Sequence, residues 1–282
     1  MCDANACIGL SDRGQDVLVD LARPYHFAIQ CMTRSGKSNL MYCLLAEAAR
    51  HPHVVVGGCD PTGILLKPFR TSTHEQFRFL GGPDLEGAAT ALGALTAEMD
   101  RRIGVLLSQE SDNLTRFSVE TPLILIVMEE YPGLLASAEA LDAAEGARGA
   151  ARLAPAIARD VQRLVQESAK VGMRVLVLAQ RAEASVLGSA VRSNLAMRIT
   201  LRVDNADSVR MLHPHASPSL VKQVGLFEPG QAILDGPSLP LTAFRADVLP
   251  YASYLRVVHE RLADSARSRD NRQEGCENVG SN

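Results

Sequence analysis

Cys31-Met32-Thr33-Arg34-Ser35-Gly36-Lys37-Ser38 is the stretch on which the reading of this 282-residue chain turns. It satisfies the pattern G-x-x-x-x-G-K-[ST] at every defined position except the first, where Cys31 stands in place of glycine. In such a loop, backbone N–H groups surround nucleotide phosphates, the lysine neutralises the outer phosphates, and the following hydroxyl binds Mg²⁺. Met32, Thr33, Arg34, Ser35, Gly36, Lys37, Ser38 and Asn39 are therefore the candidate nucleotide-binding residues, with Ser38 a Mg²⁺ ligand and Lys37 acting on the reacting phosphate. Cys31 lacks glycine's freedom at positive φ, so the loop is expected to start from an ordinary backbone conformation.

The surroundings suit a phosphate loop. Tyr25 to Gln30 reads as a short buried strand, and Asn39 to Arg50 as a helix with Leu40, Leu44, Leu45 and Ala48 at helical spacing. Strand, loop and helix in that order place the partial positive charge of a helix N-terminus at the anion site. Further along, His53 to Asp60 reads as a covered strand, Leu85 to Leu107 as a long helix, Pro122 to Met128 as a strand and Ala156 to Val171 as a helix. Arg174 to Ala179 and Met197 to Val203 are strands, and Ala232–Leu234 and Leu241–Phe244 a closing pair. Alternating strands and helices predict an α/β fold with a mostly parallel sheet, its ligands at the carboxyl ends of the strands.

Residues 1–23 read as a lead-in containing one short strand at Val17-Leu18-Val19, and 24–250 as the main domain. Tyr251 to Asp264 reads as a final helix, and 265–282, polar and without periodicity, as a disordered tail. The Ala- and Gly-rich stretch Ala138 to Ala154 reads as a mobile insertion.

Composition narrows the function classes. Hydrophobic residues make up 46% and aromatic residues 4%, with no tryptophan, so the core must be aliphatic. Net charge is −3, so nucleic-acid binding would need a local basic surface rather than a global excess. The lysines are Lys37, Lys67, Lys170 and Lys222, and the remaining cationic residues are arginines. Six cysteines show no metal-ligand spacing, which fits a reduced, cytoplasmic protein. No apolar run reaches the roughly 18 residues of a membrane span.

Three further positions carry chemistry. Glu129-Glu130 follows the apolar strand, where Glu129 can hold Mg²⁺ opposite Ser38 and Glu130 can orient and deprotonate a water. Gln180 ends the next strand, where it can sense the outer phosphate; Asp60, ending its own strand, has a similar position. Arg159, Arg163, Gln166 and Lys170 fall on one helical face, which is either a solvated face or a basic stripe toward a phosphate, on DNA or on a neighbouring subunit's nucleotide. His213-Pro214-His215 lacks a nearby third ligand and does not predict a metal site.

These motifs converge on a resemblance. CMTRSGKSN (31–39), CDP (59–61), AEMDRR (97–102), LILIVMEEYPGLL (123–135), VGMRVLVLAQR (171–181) and VRSNLAMRITLRV (191–203) resemble, in order, the motor domain of FtsK/SpoIIIE DNA translocases. The chain looks most like the short TraB/TraSA-like plasmid-transfer type of mycelial actinobacteria, over about residues 20–250. The resemblance implies a RecA-like P-loop ATPase fold, ATP and Mg²⁺ as cofactors, ATP-driven movement along double-stranded DNA, and homo-oligomeric, usually hexameric, rings. It implies catalytic roles for Lys37, Glu129, Glu130 and Gln180. The family's trans-acting arginine aligns near Ala169, which leaves Lys170, Arg163 and Arg174 as alternatives. Membrane anchoring and sequence-directed loading, where they exist, are expected to come from partners or from other elements of this chain. Two other readings stay open: a related protein-secretion ATPase, and a nucleotide-binding assembly factor that hydrolyses poorly.

Overall fold

The computed structural model describes residues 4–82, 85–179, 193–237 and 239–277, with the backbone alone for 265–277. Strands β1 (Asn5–Ser11), β2 (Asp16–Asp20) and β3 (Phe27–Gln30) precede helix α1 (Lys37–Ala48). Next come β4 (Val54–Asp60), β5 (Arg78–Leu80), α2 (Glu86–Ser108), β6 (Leu123–Met128), α3 (Tyr131–Glu145), α4 (Leu153–Glu167), β7 (Met173–Ala179) and β8 (Met197–Thr200). The chain closes with α5 (Ala206–Leu212), α6 (Pro218–Val224), β9 (Gln231–Gly236), β10 (Leu239–Ala246) and α7 (Tyr251–Glu277).

The strands form one sheet in the order β2-β1-β10-β9-β8-β3-β7-β6-β4-β5. From β8 to β5 the strands run parallel, with β3 between β8 and β7. From β9 to β2 they run antiparallel. The parallel strands are mostly apolar because both faces are covered, and every residue of Leu123–Met128 is fully buried. Helices α1 and α7 cover one face with an aliphatic layer, α2, α3 and α4 cover the other, and α5 and α6 close over β9 and β10. At Gly58, φ is 117° and an added Cβ would overlap the Val127 backbone, so glycine there lets β4 lie against β6.

The expected mostly parallel α/β architecture is present, and the structure differs from the sequence reading in three places. The lead-in is integral to the sheet: β1 pairs with β2 and with β10, and Asp247 N–H donates to the Ile8 carbonyl. Its alternation is masked in sequence by Gly9 and by a register shift between Cys7 and Leu10. The stretch 138–154 is not a mobile insertion. Its first half completes α3, and the buried Asp142 carboxylate accepts from Leu153 N–H at 2.7 Å and Ala154 N–H at 3.0 Å, capping α4. The final helix runs to Glu277 rather than ending at Asp264.

Two buried arginines anchor the ends of β6 and β7 that face away from the phosphate loop. Arg174 is 1% exposed and donates to the carbonyls of Ala22, Arg23, Ala169 and Met173. Arg102 donates to the carbonyls of Pro122 and Val171, both at 2.9 Å, and pairs with Glu98. His213 is fully buried between Thr200 Oγ1 (2.7 Å) and the Asp235 carboxylate (3.0 Å), a structural link between β8 and β9. Among the described residues no cluster of His, Cys, Asp and Glu could hold a metal ion by itself.

Candidate nucleotide site

The loop Cys31–Gly36 leaves the carboxyl end of β3 in the middle of the parallel strands and feeds directly into α1. Cys31 N–H donates to the Ala179 carbonyl at 3.2 Å, and Met32 N–H to the Arg202 carbonyl at 2.8 Å, so the loop is tied to both neighbouring strand exits. Among the described residues the non-glycine positive φ angles are at Arg34, His74, Glu110 and Glu130; Cys31 is not one of them. The departure from glycine is thus accommodated in an ordinary conformation, and burial pushes the Cys31 thiol up, keeping it neutral and unreactive. Arg34 takes the left-handed conformation (φ 63°) that a glycine would adopt more easily. Gly36 caps α1 at φ 101°, and a Cβ there would stand 2.5 Å from Gly230 N. The loop therefore rests on the Pro229–Gly230 turn, whose N–H donates to the Ser35 carbonyl at 2.8 Å.

Lys37, the first residue of α1, reaches across to the exit of β6. Its Nζ lies 3.2 Å from Glu130 Oε2 and 3.7 Å from Glu129 Oε1. Burial works against its charge, but Cys31, Glu129 and Glu130 outweigh that and raise its pKa. Glu130 is left-handed (φ 51°) and caps α3, with the Tyr131-Pro132 start of the helix holding it there. Such strain at a strand exit is typical of functional sites.

Glu129 is the electrostatically unusual residue. Burial, then Asp60 alongside it, pushes its carboxyl up to about 7. Its Oε2 is buried and has no protein partner. Asp60 is itself committed, accepting from Thr62 N–H, Thr62 Oγ1, Gly63 N–H and Leu66 N–H. The buried Oε2 of Glu129, left without a protein partner while Lys37 lies 3.7 Å from Oε1, suits a Mg²⁺ ion. The sign of the pH effect follows. An acid raised in the folded state holds its proton there across the window from its ordinary 4.5 to about 7. Its stabilisation is therefore present below that window and lost as pH rises through it. The nucleotide-free protein is expected to lose on the order of 3 kcal/mol of stability over that interval. Glu129→Gln should flatten the profile in urea melts; a wild-type profile that rises over the interval would sink the assignment.

A cavity of about 560 Å³ lies over the loop, lined by Cys31–Arg34, Gly36–Asn39, Tyr42, Pro229 and Leu249–Tyr251. That volume suits a nucleotide. Asn39, expected to touch the ligand, uses its side chain elsewhere: Nδ2 donates to the Asp247 carbonyl, and Oδ1 accepts from Leu249 N–H at 2.8 Å. Gln180 lies outside the described residues; Ala179, which precedes it, ends β7 beside the loop.

The basic stripe is not a free row of charges. Arg163 forks Asp100 on α2 at 2.7 Å and Glu167 at 3.0 Å, which raise its pKa, and Arg159 sits 3.0 Å from Asp160. Arg174 is buried and cannot reach a neighbouring subunit. Of the three alternatives for the trans-acting group, Arg163 and Lys170 are the two whose side chains reach the surface. Sequence reasoning missed the Pro229–Gly230 backing, Tyr42 and the Asp247–Tyr251 segment, which meet the loop only through the tertiary fold.

Comparisons with known proteins follow the same line. DNA translocase SftA of Bacillus subtilis (strain 168) is 25% identical over 216 residues, 71% of this chain and 20% of SftA. DNA translocase FtsK of Treponema pallidum (strain Nichols) is 24% identical over 219 residues, 73% of this chain and 25% of FtsK. The chain spans a quarter or less of the length of either relative. Among solved structures, the pCW3 conjugation coupling protein TcpA, in monomer form with ATPγS, superposes with a TM-score of 0.68 at 16% identity, over 92% of this chain and 71% of TcpA. The cytoplasmic domain of the Thermomonospora curvata type VII secretion ATPase EccC superposes with a TM-score of 0.64 at 21% identity, over 92% of this chain and 31% of that one. At these identities the structural likeness establishes the fold. No protein-family model matches the chain. The chain is distantly similar in sequence to the FtsK and SftA DNA translocases and shares the fold of the TcpA and EccC structures.

Proposed function

We propose that this chain is the ATP-hydrolysing motor of a double-stranded DNA translocase, working as a homo-oligomeric ring in plasmid or integrative-element transfer of the TraB-like kind. The observation that carries the reading is Lys37 held between Glu129 and Glu130 at the mouth of the phosphate loop. Without a nucleotide these carboxylates balance the lysine. ATP phosphates compete for Lys37, and Glu130, released from its ion pair, is placed to take a proton from a water attacking the outer phosphate. Ser38 and Glu129 would hold Mg²⁺, which when bound neutralises the phosphate oxygens. Both curated relatives are named as DNA translocases, and TcpA as a conjugation coupling protein; these names support DNA as the substrate and transfer as the setting.

Among the described residues no helix is long and apolar enough to cross a membrane. A cytoplasmic location, with any membrane attachment made through a partner, is part of this proposal.

The test is steady-state ATP hydrolysis with and without duplex DNA. Turnover should rise several-fold with DNA and fall at least about 100-fold in Lys37→Ala, which removes the phosphate-neutralising charge. The fold is shared with EccC, so a secretion motor is the second reading. Turnover indifferent to DNA but raised by a substrate polypeptide would replace the first reading with it. Absence of turnover in the wild-type protein would leave the poorly hydrolysing assembly factor.

A further inference from the structure

The cavity over the phosphate loop has two unlike walls. One is the loop itself, polar and rich in backbone N–H groups. The other is apolar: Pro229, Leu249, Pro250 and Tyr251, with Tyr42 beneath. A triphosphate has no use for the second wall. What a nucleotide attaches to its triphosphate is a ribose and a flat base, and a flat base is what an apolar wall with an aromatic ring accepts.

The wall is held in place from three sides. Asn39, in the first turn of α1, clips the Asp247 carbonyl and Leu249 N–H, so the segment entering α7 moves with the phosphate loop. Cys43, one turn further on, donates its thiol to the same Asp247 carbonyl at 3.2 Å. The Tyr251 hydroxyl donates to the Ile64 carbonyl at 3.1 Å, and its ring lies 5.4 Å from Tyr42. Tyr42 in turn stacks on Tyr254 at 4.6 Å and 17°. Tyr251 is thus tethered at its hydroxyl and supported by two further rings, while its own ring lines the cavity. Leu249 is half-buried against the core and Pro250 is exposed, and both keep surface toward that cavity.

We propose that Tyr251, with Leu249, Pro250 and Pro229, forms the site for the nucleotide base, and that Asn39 is a positioning residue fixing the distance between base and phosphate sites. This rests on the phosphate-loop reading of residues 31–38 and adds where the rest of the nucleotide goes. The Tyr251 hydroxyl is already spent on Ile64, and both ends of the Asn39 amide are spent on the backbone. The wall therefore holds the base by its face.

The test separates base binding from phosphate binding by calorimetry, with ATPγS and inorganic tripolyphosphate as probes. Tyr251→Leu keeps an apolar side chain and removes the ring. It should weaken ATPγS by roughly tenfold or more and leave tripolyphosphate within about twofold. Tyr251→Phe keeps the ring and loses only the tether to Ile64, so it should bind ATPγS more tightly than Tyr251→Leu does and tripolyphosphate equally well. Unchanged ATPγS affinity in Tyr251→Leu overturns the assignment. An equal loss of both probes overturns it too, because the residue would then act only by supporting the fold. If the wild-type protein binds neither probe, the phosphate-loop reading itself fails and takes the base site with it.

Discussion

Glu130→Gln should bind ATP and lose turnover by roughly 10²–10⁴-fold, the usual contribution of a positioned general base. That corresponds to about 3–5 kcal/mol of transition-state stabilisation. Glutamine is isosteric, and its side-chain oxygen can still accept from Lys37 Nζ, which in the wild-type protein lies 3.2 Å from Glu130 Oε2. The left-handed backbone at this position is equally available to either residue, so the exit of β6 and the cap of α3 should survive. Glu129, with its unpartnered Oε2, remains for Mg²⁺. What the variant lacks is a group able to take the water's proton. Single-turnover hydrolysis measured beside ATPγS affinity separates chemistry from binding. Turnover close to wild type would remove Glu130 from the chemistry and leave it as a partner for Lys37 alone.

Arg174→Ala should cost about 3–5 kcal/mol of folding stability, an effect in the range of breaking a buried charged network. Among the described residues it is the largest fully buried side chain. Its guanidinium gathers four backbone carbonyls, those of Ala22, Arg23, Ala169 and Met173. Burial lowers its pKa to about 10, still far above neutral, so the charge persists. Removing it leaves buried carbonyls unpaired and a cavity at the start of β7, both costly. Arg174→Lys should recover only part of the loss, because one ammonium cannot span acceptors on three separate segments. Urea unfolding with the two variants side by side measures this. A loss below about 1 kcal/mol for the alanine variant would show that water replaces the guanidinium.

These predictions show which parts of the molecule were legible before folding. The phosphate loop was legible because its signal is local: a short strand, a defined loop and a helix start lie within a few residues of one another. The carboxylates were legible for the same reason, since the fully apolar Leu123–Met128 can only be a covered strand, and covered parallel strands expose their chemistry at the carboxyl exit. The basic stripe was legible as a pattern but not as a surface. Arg163 sits at the right spacing, yet Asp100 lies 63 positions away in the chain and claims it. Spacing places a side chain on a helix face; it says nothing of which other helix faces it. The lead-in failed for a different reason. Strand β1, with a glycine and a register shift, has weak periodicity, and one of its two partners, β10, lies at the far end of the chain.

The sequence by itself therefore determined which groups stand together here: a loop of phosphate-binding pattern, a lysine, and two acids at a strand exit, each specified within one strand–loop–helix unit. The tertiary structure decided what the site is made to hold. It brought Glu129 beside Asp60 and lifted its pKa to about 7, turned Lys37 onto both acids, and carried Asp247 and Leu249 onto Asn39, 208 and 210 positions away. The physical reason is one of range. Backbone hydrogen bonding and hydrophobic period act between near neighbours and leave their mark in the sequence. Desolvation, charge pairing and the closing of a cavity act between whichever groups the sheet order brings together, and no local pattern encodes that order.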